Sequence, residues 1–191
     1  MDELRNKLIS RNDSFLLVVD VQARLAPAIF GIDHILKRNE ALLSACEKLD
    51  IPVVFTEQYP KGIGHTIPRL RDLAVCAQVY EKIHFDATAE PEFLALITAI
   101  GRREVVVIGT EAHVCVLQTA LGLRSHNYAV KLCVDATGSR KEIDKEIALQ
   151  RMASEGLSLV TTEMVLFEWL RRAGTDEFSD LLPLVRELVE I

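Results

Sequence analysis

The sequence lacks any apolar run long enough to cross a bilayer: its most hydrophobic stretches, SFLLVVDV and EVVVIG, are strand-sized. It also lacks basic excess. With 22 Lys and Arg against 28 Asp and Glu, the formal net charge is -6 over 191 residues, which disfavours nucleic acid and anionic membrane surfaces as partners. The four cysteines, Cys46, Cys76, Cys115 and Cys133, form no CxxC pair and show no zinc-like spacing. A disulfide framework and a structural metal are therefore not expected, and a reducing, cytoplasmic setting is the simplest reading. The N-terminal stretch MDELRNKLISRNDS has no apolar core, so it reads as neither signal nor transit peptide. No repeat, low-complexity tract or linker interrupts the chain, and residues 1–191 are expected to form one domain.

Short apolar runs alternate with helix-like segments. SFLLVV (14–19), PVVFT (52–56), QVYEK (78–82), EVVVIG (104–109), AVKLCVDA (129–136) and LSLVTT (157–162) read as strands. Helical spacing is expected over 32–49, 91–100, 114–125, 141–156, 163–174 and 176–189, with Gly156 and Gly174 as end caps and a break or late start at Pro183. Near-continuous apolar strands separated by helices predict an α/β fold: a parallel sheet covered on both faces. The Gly- and Pro-bearing segment 58–72 is the one long irregular stretch and reads as a functional loop or partner-binding arm.

Ligands of open parallel sheets bind beyond the carboxyl ends of the strands. Asp20 ends the first strand there, Lys82 ends the third, and the fourth is followed by the block Thr110–Glu111–Ala112–His113–Val114–Cys115. A carboxylate, an amine and a thiol thus share one rim. A two-halved strand order would make the first and fourth strands neighbours at the switch point, bringing Asp20 beside Cys115. Lys82 would start two strands away, roughly 10 Å, so its loop must curl inward or its side chain must reach. A helix N-terminus and a nearby ammonium would lower the thiol pKa, and an adjacent carboxylate could take its proton. Against this stand the ordinary roles: Cys as core, Asp as turn residue, Lys as solvated surface.

The motifs LLVVDVQ, EKIHF, VVVIGTEAHVCVLQTAL and VDATGSR, in that order, resemble the isochorismatase-like cysteine hydrolase superfamily from about Phe15 to Thr162. TEQYPKGIGHT and GTEAHVC resemble its isochorismatase domain-containing subgroup. The resemblance implies a three-layer α/β/α fold with a six-stranded parallel sheet of order 3-2-1-4-5-6. It implies a catalytic triad of Asp20, Lys82 and Cys115, a cis peptide at Thr110–Glu111, and an oxyanion hole from the N–H groups of Glu111 and Cys115. A homo-oligomer, dimer or higher, is also implied. Two departures narrow the activity. Nicotinamidases of the superfamily bind metal through Asp-x-His after the second strand, where this chain reads Glu57-Gln58-Tyr59. No metal and no cofactor are therefore expected, and His65 reads as a loop histidine. Enzymes that cleave isochorismate lack the nucleophilic cysteine that Cys115 supplies. The expectation is metal-free hydrolysis of a C–N bond in a small molecule. A binding or scaffold protein that keeps the triad idle, and a redox role for Cys115, are the rival readings. Gln22, Tyr59, Phe85 and His113 are candidate pocket residues, although structural support behind the motif residues is the plainer role for each. Cys46 and Cys133 are expected in the core, Cys76 reads either way, and Arg140 could recognise an anion or pair at the surface, the surface pair being the plainer reading.

Overall fold

In the computed structural model, which describes residues 8–188, the apolar runs become adjacent strands. β1 (Ser14–Val19) and β4 (Glu104–Thr110) are buried at every position and pair in parallel, as a strand covered on both faces requires. β2 (Val53–Gln58), β3 (Gln78–Lys82), β5 (Ala129–Gly138) and β6 (Ser158–Val160) complete a six-stranded, all-parallel sheet of order β3-β2-β1-β4-β5-β6. The N-terminal stretch read as neither signal nor transit peptide lies partly outside the described residues, as does Val189.

Strand alternation sorts the core into two layers. Leu16 and Val18 of β1 pack with α1 (Ile32–Lys48), α7 (Thr162–Leu170) and α8 (Asp176–Leu188), through Leu42, Leu43, Trp169 and Leu181. Phe15, Leu17 and Val19 pack against α4 (Pro91–Ala99), α5 (Leu117–Ser125) and α6 (Glu142–Ser154), through Phe93, Ile97, Leu123 and Met152. Each fully buried large apolar side chain contributes about 1.5–3 kcal/mol, so a charge at Leu17 or Val107 would unseat a whole layer. Trp169 Nε1 donates to Ser14 Oγ at 2.9 Å, tying α7 to the start of β1.

Gly156 holds the left-handed conformation expected after α6, with φ 80°. The segment 58–72 is more regular than expected. It contains α2 (Pro60–Ile63) and α3 (Pro68–Asp72), each opened by a proline that needs no N–H partner there. An antiparallel bridge from Gln22 to Thr66 fastens it to the chain beyond β1. α7 stops at Leu170, where Arg171 turns left-handed, rather than continuing to Gly174. No break occurs at Pro183, because α8 runs through it. Leu181 and Val185 bury one face of α8, while Pro183 is exposed, where water meets the backbone group that loses its partner. Among the described residues no helix is long and apolar enough to cross a membrane.

Candidate active site

Alternation along β1 would send Asp20 to the Leu16/Val18 face. Asp20 instead adopts a left-handed φ of 53°, a conformation that Asp tolerates better than most residues. Its carboxylate meets the face that carries Thr56 and Lys82: Thr56 Oγ1 donates to Oδ1 at 2.7 Å and Lys82 Nζ to Oδ2 at 2.8 Å. Lys82 starts on β3, two strands from β1. Its side chain reaches past β2, and the loop after β3 also curls inward. The ammonium donates to Gln58 Oε1 at 2.6 Å and lies 3.3 and 3.4 Å from the His84 and Phe85 carbonyls. The Asp20 and Lys82 side chains are both 0% exposed. A buried ion pair survives only when further hydrogen bonds satisfy it, and Thr56, Gln58 and the two carbonyls supply them.

Cys115 arrives from the other side of the switch point. Gly109, with φ 138°, lets β4 lie against β1: a Cβ there would sit 2.1 Å from the Val19 carbonyl oxygen. The β4–β5 register then slips, from Val107 opposite Leu132 to Gly109 opposite Thr137, and Thr110 pairs with Gly138. No peptide bond among the described residues is cis, so the cis bond expected at Thr110–Glu111 is a trans one. The chain turns through Glu111 instead, left-handed at φ 59° and ψ 59°. A non-glycine residue there costs about 1–3 kcal/mol. A π-helical turn, Ala112–Val116, precedes α5 where an α-helical start was expected. The Glu111 carbonyl accepts from the N–H groups of Val114 at 2.9 Å and Val116 at 3.4 Å, which anchors this turn.

Cys115 is buried, with 5% of the residue exposed. Burial raises its pKa most, the Asp20 carboxylate raises it further, and Lys82 acts in the opposite direction. The net shift is upward, contrary to the expectation of a thiolate prepared by helix and ammonium. Burial and the neighbouring carboxylate outweigh the single cation, which is already engaged by Asp20. Burial and Asp20 together therefore favour the thiol over the thiolate at Cys115.

The other candidates divide. Gln22 is buried and fixes the loop: its Nε2 donates to the Gln58 and Gly64 carbonyls, and its Oε1 accepts from Gln58 N–H at 2.7 Å. Tyr59 and Phe85 stand exposed at the rim, and the Phe85 carbonyl faces Lys82. His113 Nδ1 lies 3.0 Å from Ser139 Oγ, and its Nε2 lies 3.5 Å from the Glu111 carboxylate. Arg140, expected in a surface pair, holds the buried Glu111 carboxylate through Nε at 3.0 Å. Thr56 and Gln58 were missed. The signal was their period-two spacing on β2, which turns both toward the same side as Lys82. Cys46 and Cys133 are buried as expected, Cys76 is exposed, and all are free thiols.

Glu57, His65 and Glu81 bring ligand-capable atoms within 4.8 Å of one another, so this is where a cation could be held. Glu57 and Glu81 are register partners on the sheet face opposite Gln58 and Lys82. Glu57 is already engaged: Oε1 accepts from Thr66 N–H at 2.7 Å and Thr66 Oγ1 at 2.8 Å, and Oε2 lies 2.8 Å from His65 Nδ1. Burial alone would raise the Glu57 pKa, but these hydrogen bonds prevail and lower it.

Comparison with known proteins agrees with this architecture. The isochorismatase domain model matches residues 14–164. Isochorismatase family protein 1A of Dictyostelium discoideum is 32% identical over 184 residues, covering 94% of this chain and 89% of that protein. Isochorismatase domain-containing protein 1 of Danio rerio is 36% identical over 179 residues, 93% of this chain and 62% of that protein. Among solved structures, the MAR1 ribonuclease of Caenorhabditis elegans superposes with a TM-score of 0.88 at 32% identity, covering 94% of this chain and 93% of that one. By its sequence match and its strand order alike, the chain belongs to the isochorismatase domain family.

Proposed function

We propose that this chain is a metal-independent hydrolase that cleaves a C–N bond of a small amide-type molecule through an acyl-thioester on Cys115. The observation that carries the reading is the buried Asp20–Lys82 pair acting on the Cys115 thiol. A carboxylate beside a protonated thiol is suited to general-base attack rather than to a standing thiolate. As Sγ bonds to the substrate carbonyl carbon, the thiol proton passes to Asp20 and the carbonyl π pair moves to oxygen. The N–H groups of Glu111 and Cys115 hold that oxyanion. On collapse the C–N bond breaks, and Asp20 returns its proton to the leaving nitrogen. Water then attacks the thioester, Asp20 takes its proton, the C–S bond breaks, and the proton returns to sulfur. Lys82, donating to Asp20 at 2.8 Å, offsets the negative charge that gathers beside the sulfur in each step.

A small-molecule substrate is favoured over a polyanion. The net charge of -6 gives no basic excess to draw in phosphates, although the C. elegans relative carries the name ribonuclease. The same reading takes residues 1–191 as one hydrolase domain in the cytoplasm, with thiols that stay reduced. It expects a homo-oligomer, supported by Val79, Ile83 and Phe85 left exposed along and after edge strand β3. The test is ammonia or amine release from a panel of small amides. Release by the native protein and none by Cys115→Ala supports the reading; equal release by both sinks it. RNA cleavage that survives Cys115→Ala would favour the rival substrate class.

A further inference from the structure

We propose that Arg140 is a positioning residue for this chemistry, acting through the Glu111 carboxylate on the turn that carries Cys115. The inference rests on the hydrolase reading above and specifies how its oxyanion donors are held.

Glu111 has three duties in one residue. Its backbone is left-handed, with φ 59°. Its carbonyl accepts the Val114 and Val116 N–H groups that begin the π-helical turn. Its carboxylate, with the side chain only 7% exposed, is gripped from outside by Arg140, with Nε at 3.0 Å and Nη2 at 3.5 Å. A left-handed non-glycine residue persists only where its surroundings enforce it. Arg140 is the cation that does so, in a two-pronged geometry that fixes direction as well as charge. His113 adds a second hold: its ring bridges Ser139 Oγ at 3.0 Å and the Glu111 carboxylate at 3.5 Å, with Asp144 at 3.9 Å beyond.

The sheet explains why these partners are at hand. The register slip that pairs Thr110 with Gly138 brings the first residues beyond β5, Ser139 and Arg140, alongside Glu111 and the turn after it. Without the slip, the chain following β5 would run out of step with the chain following β4. Two elements thus converge: β4 delivers the turn, and the end of β5 delivers the clamp. Arg140 itself is more than half exposed, with 58% of its side chain open to solvent, and its pull reaches the Cys115 turn through the buried Glu111 carboxylate.

Alkylation and acylation of the same thiol separate this role from simple structural support. Both need Cys115 deprotonated. Only acylation passes through an oxyanion. The measurement is the rate of Cys115 acetylation by p-nitrophenyl acetate and of its alkylation by iodoacetamide, each followed by peptide mass spectrometry. For Arg140→Ala the acetylation rate is expected to fall about 10- to 100-fold, less than or equal to the loss of a whole oxyanion donor. The alkylation rate is expected to stay within about twofold, because it tracks thiolate supply alone. Arg140→Lys, which keeps the charge and loses the fork, is expected in between, and it carries the test if the alanine variant does not fold. An unchanged ratio of the two rates in both variants, or an equal fall in both rates, overturns the proposal. Native protein that alkylates at Cys115 but never acetylates there would instead overturn the hydrolase reading, and the proposal with it.

Discussion

Lys82 Nζ lies 2.8 Å from Asp20 Oδ2, although Asp20 follows β1, Lys82 ends β3 and β2 lies between them, and both side chains are fully buried. The long lysine stem spans the gap, and the left-handed Asp20 backbone turns the carboxylate to meet it. Neither charge is tolerable there without the other.

Removing one partner should therefore be costly. Lys82→Ala leaves the Asp20 carboxylate buried and uncompensated, and is expected to destabilise the fold by about 3–5 kcal/mol. Adding Asp20→Asn to that variant removes the stranded charge and is expected to restore part of the loss. Urea unfolding of the two single variants and the double variant checks this, and additive losses would contradict it.

Cys115 should be slow to react although its thiol is central. Burial first and Asp20 second raise its pKa, so at neutral pH iodoacetamide is expected to label exposed Cys76 well before Cys115. Asp20→Asn removes a charge that raises the pKa, and should move the Cys115 labelling profile to lower pH. Lys82→Ala removes the charge that lowers it, and should move the profile to higher pH. Opposite displacements would contradict the electrostatic reading.

The same shift has a stability consequence. Burial also raises the Cys46 and Cys133 thiols, Cys133 with a further rise from Asp135, while Arg102 acts downward on Cys46. In the unfolded chain each thiol ionises near its ordinary value of about 8.5, before the folded one does. The contribution of protonated thiols to stability is therefore complete below that pH and declines as pH climbs toward the folded values. Denaturant midpoints measured between neutral and strongly alkaline pH are expected to fall, and Cys46→Ala should fall less steeply. A flat profile would contradict the assignment.

Chelation tests the Glu57 cluster. Glu57 is committed to Thr66 and His65 and faces away from Lys82. Exhaustive dialysis against EDTA, followed by added zinc or manganese, is expected to leave both turnover and melting temperature unchanged. A metal-restored activity would contradict metal-independent chemistry.

The strands were legible because continuous Val, Ile and Leu runs such as SFLLVV and EVVVIG admit few other structures in a chain of this length. The weaker run QVYEK was found with the same bounds, 78–82. The rim position of Asp20, Lys82 and Cys115 followed from strand ends alone. What was illegible depends on partners distant in sequence. The Glu111 turn is held by Arg140. The β5 slip occurs where Asn39 Nδ2 donates to the Ala136 carbonyl at 2.9 Å and Asp135 accepts from Thr162 N–H at 2.8 Å. The thiol pKa direction turned on how deeply Cys115 is buried, which strand patterning does not reveal. Gln58 went unread although the expected strand order already put β2 between Asp20 and Lys82, because its role depends on which face of β2 meets the Lys82 ammonium.

The most direct test of the central claim is to map the acetyl group left by p-nitrophenyl acetate in native protein and in Asp20→Asn. If Cys115 is the nucleophile and Asp20 its base, the native protein carries the acetyl group on Cys115 and clears it with time, and Asp20→Asn acquires it about 100-fold more slowly or less. An acetyl group found only on exposed Cys76, or one acquired on Cys115 just as fast without the Asp20 carboxylate, would contradict it.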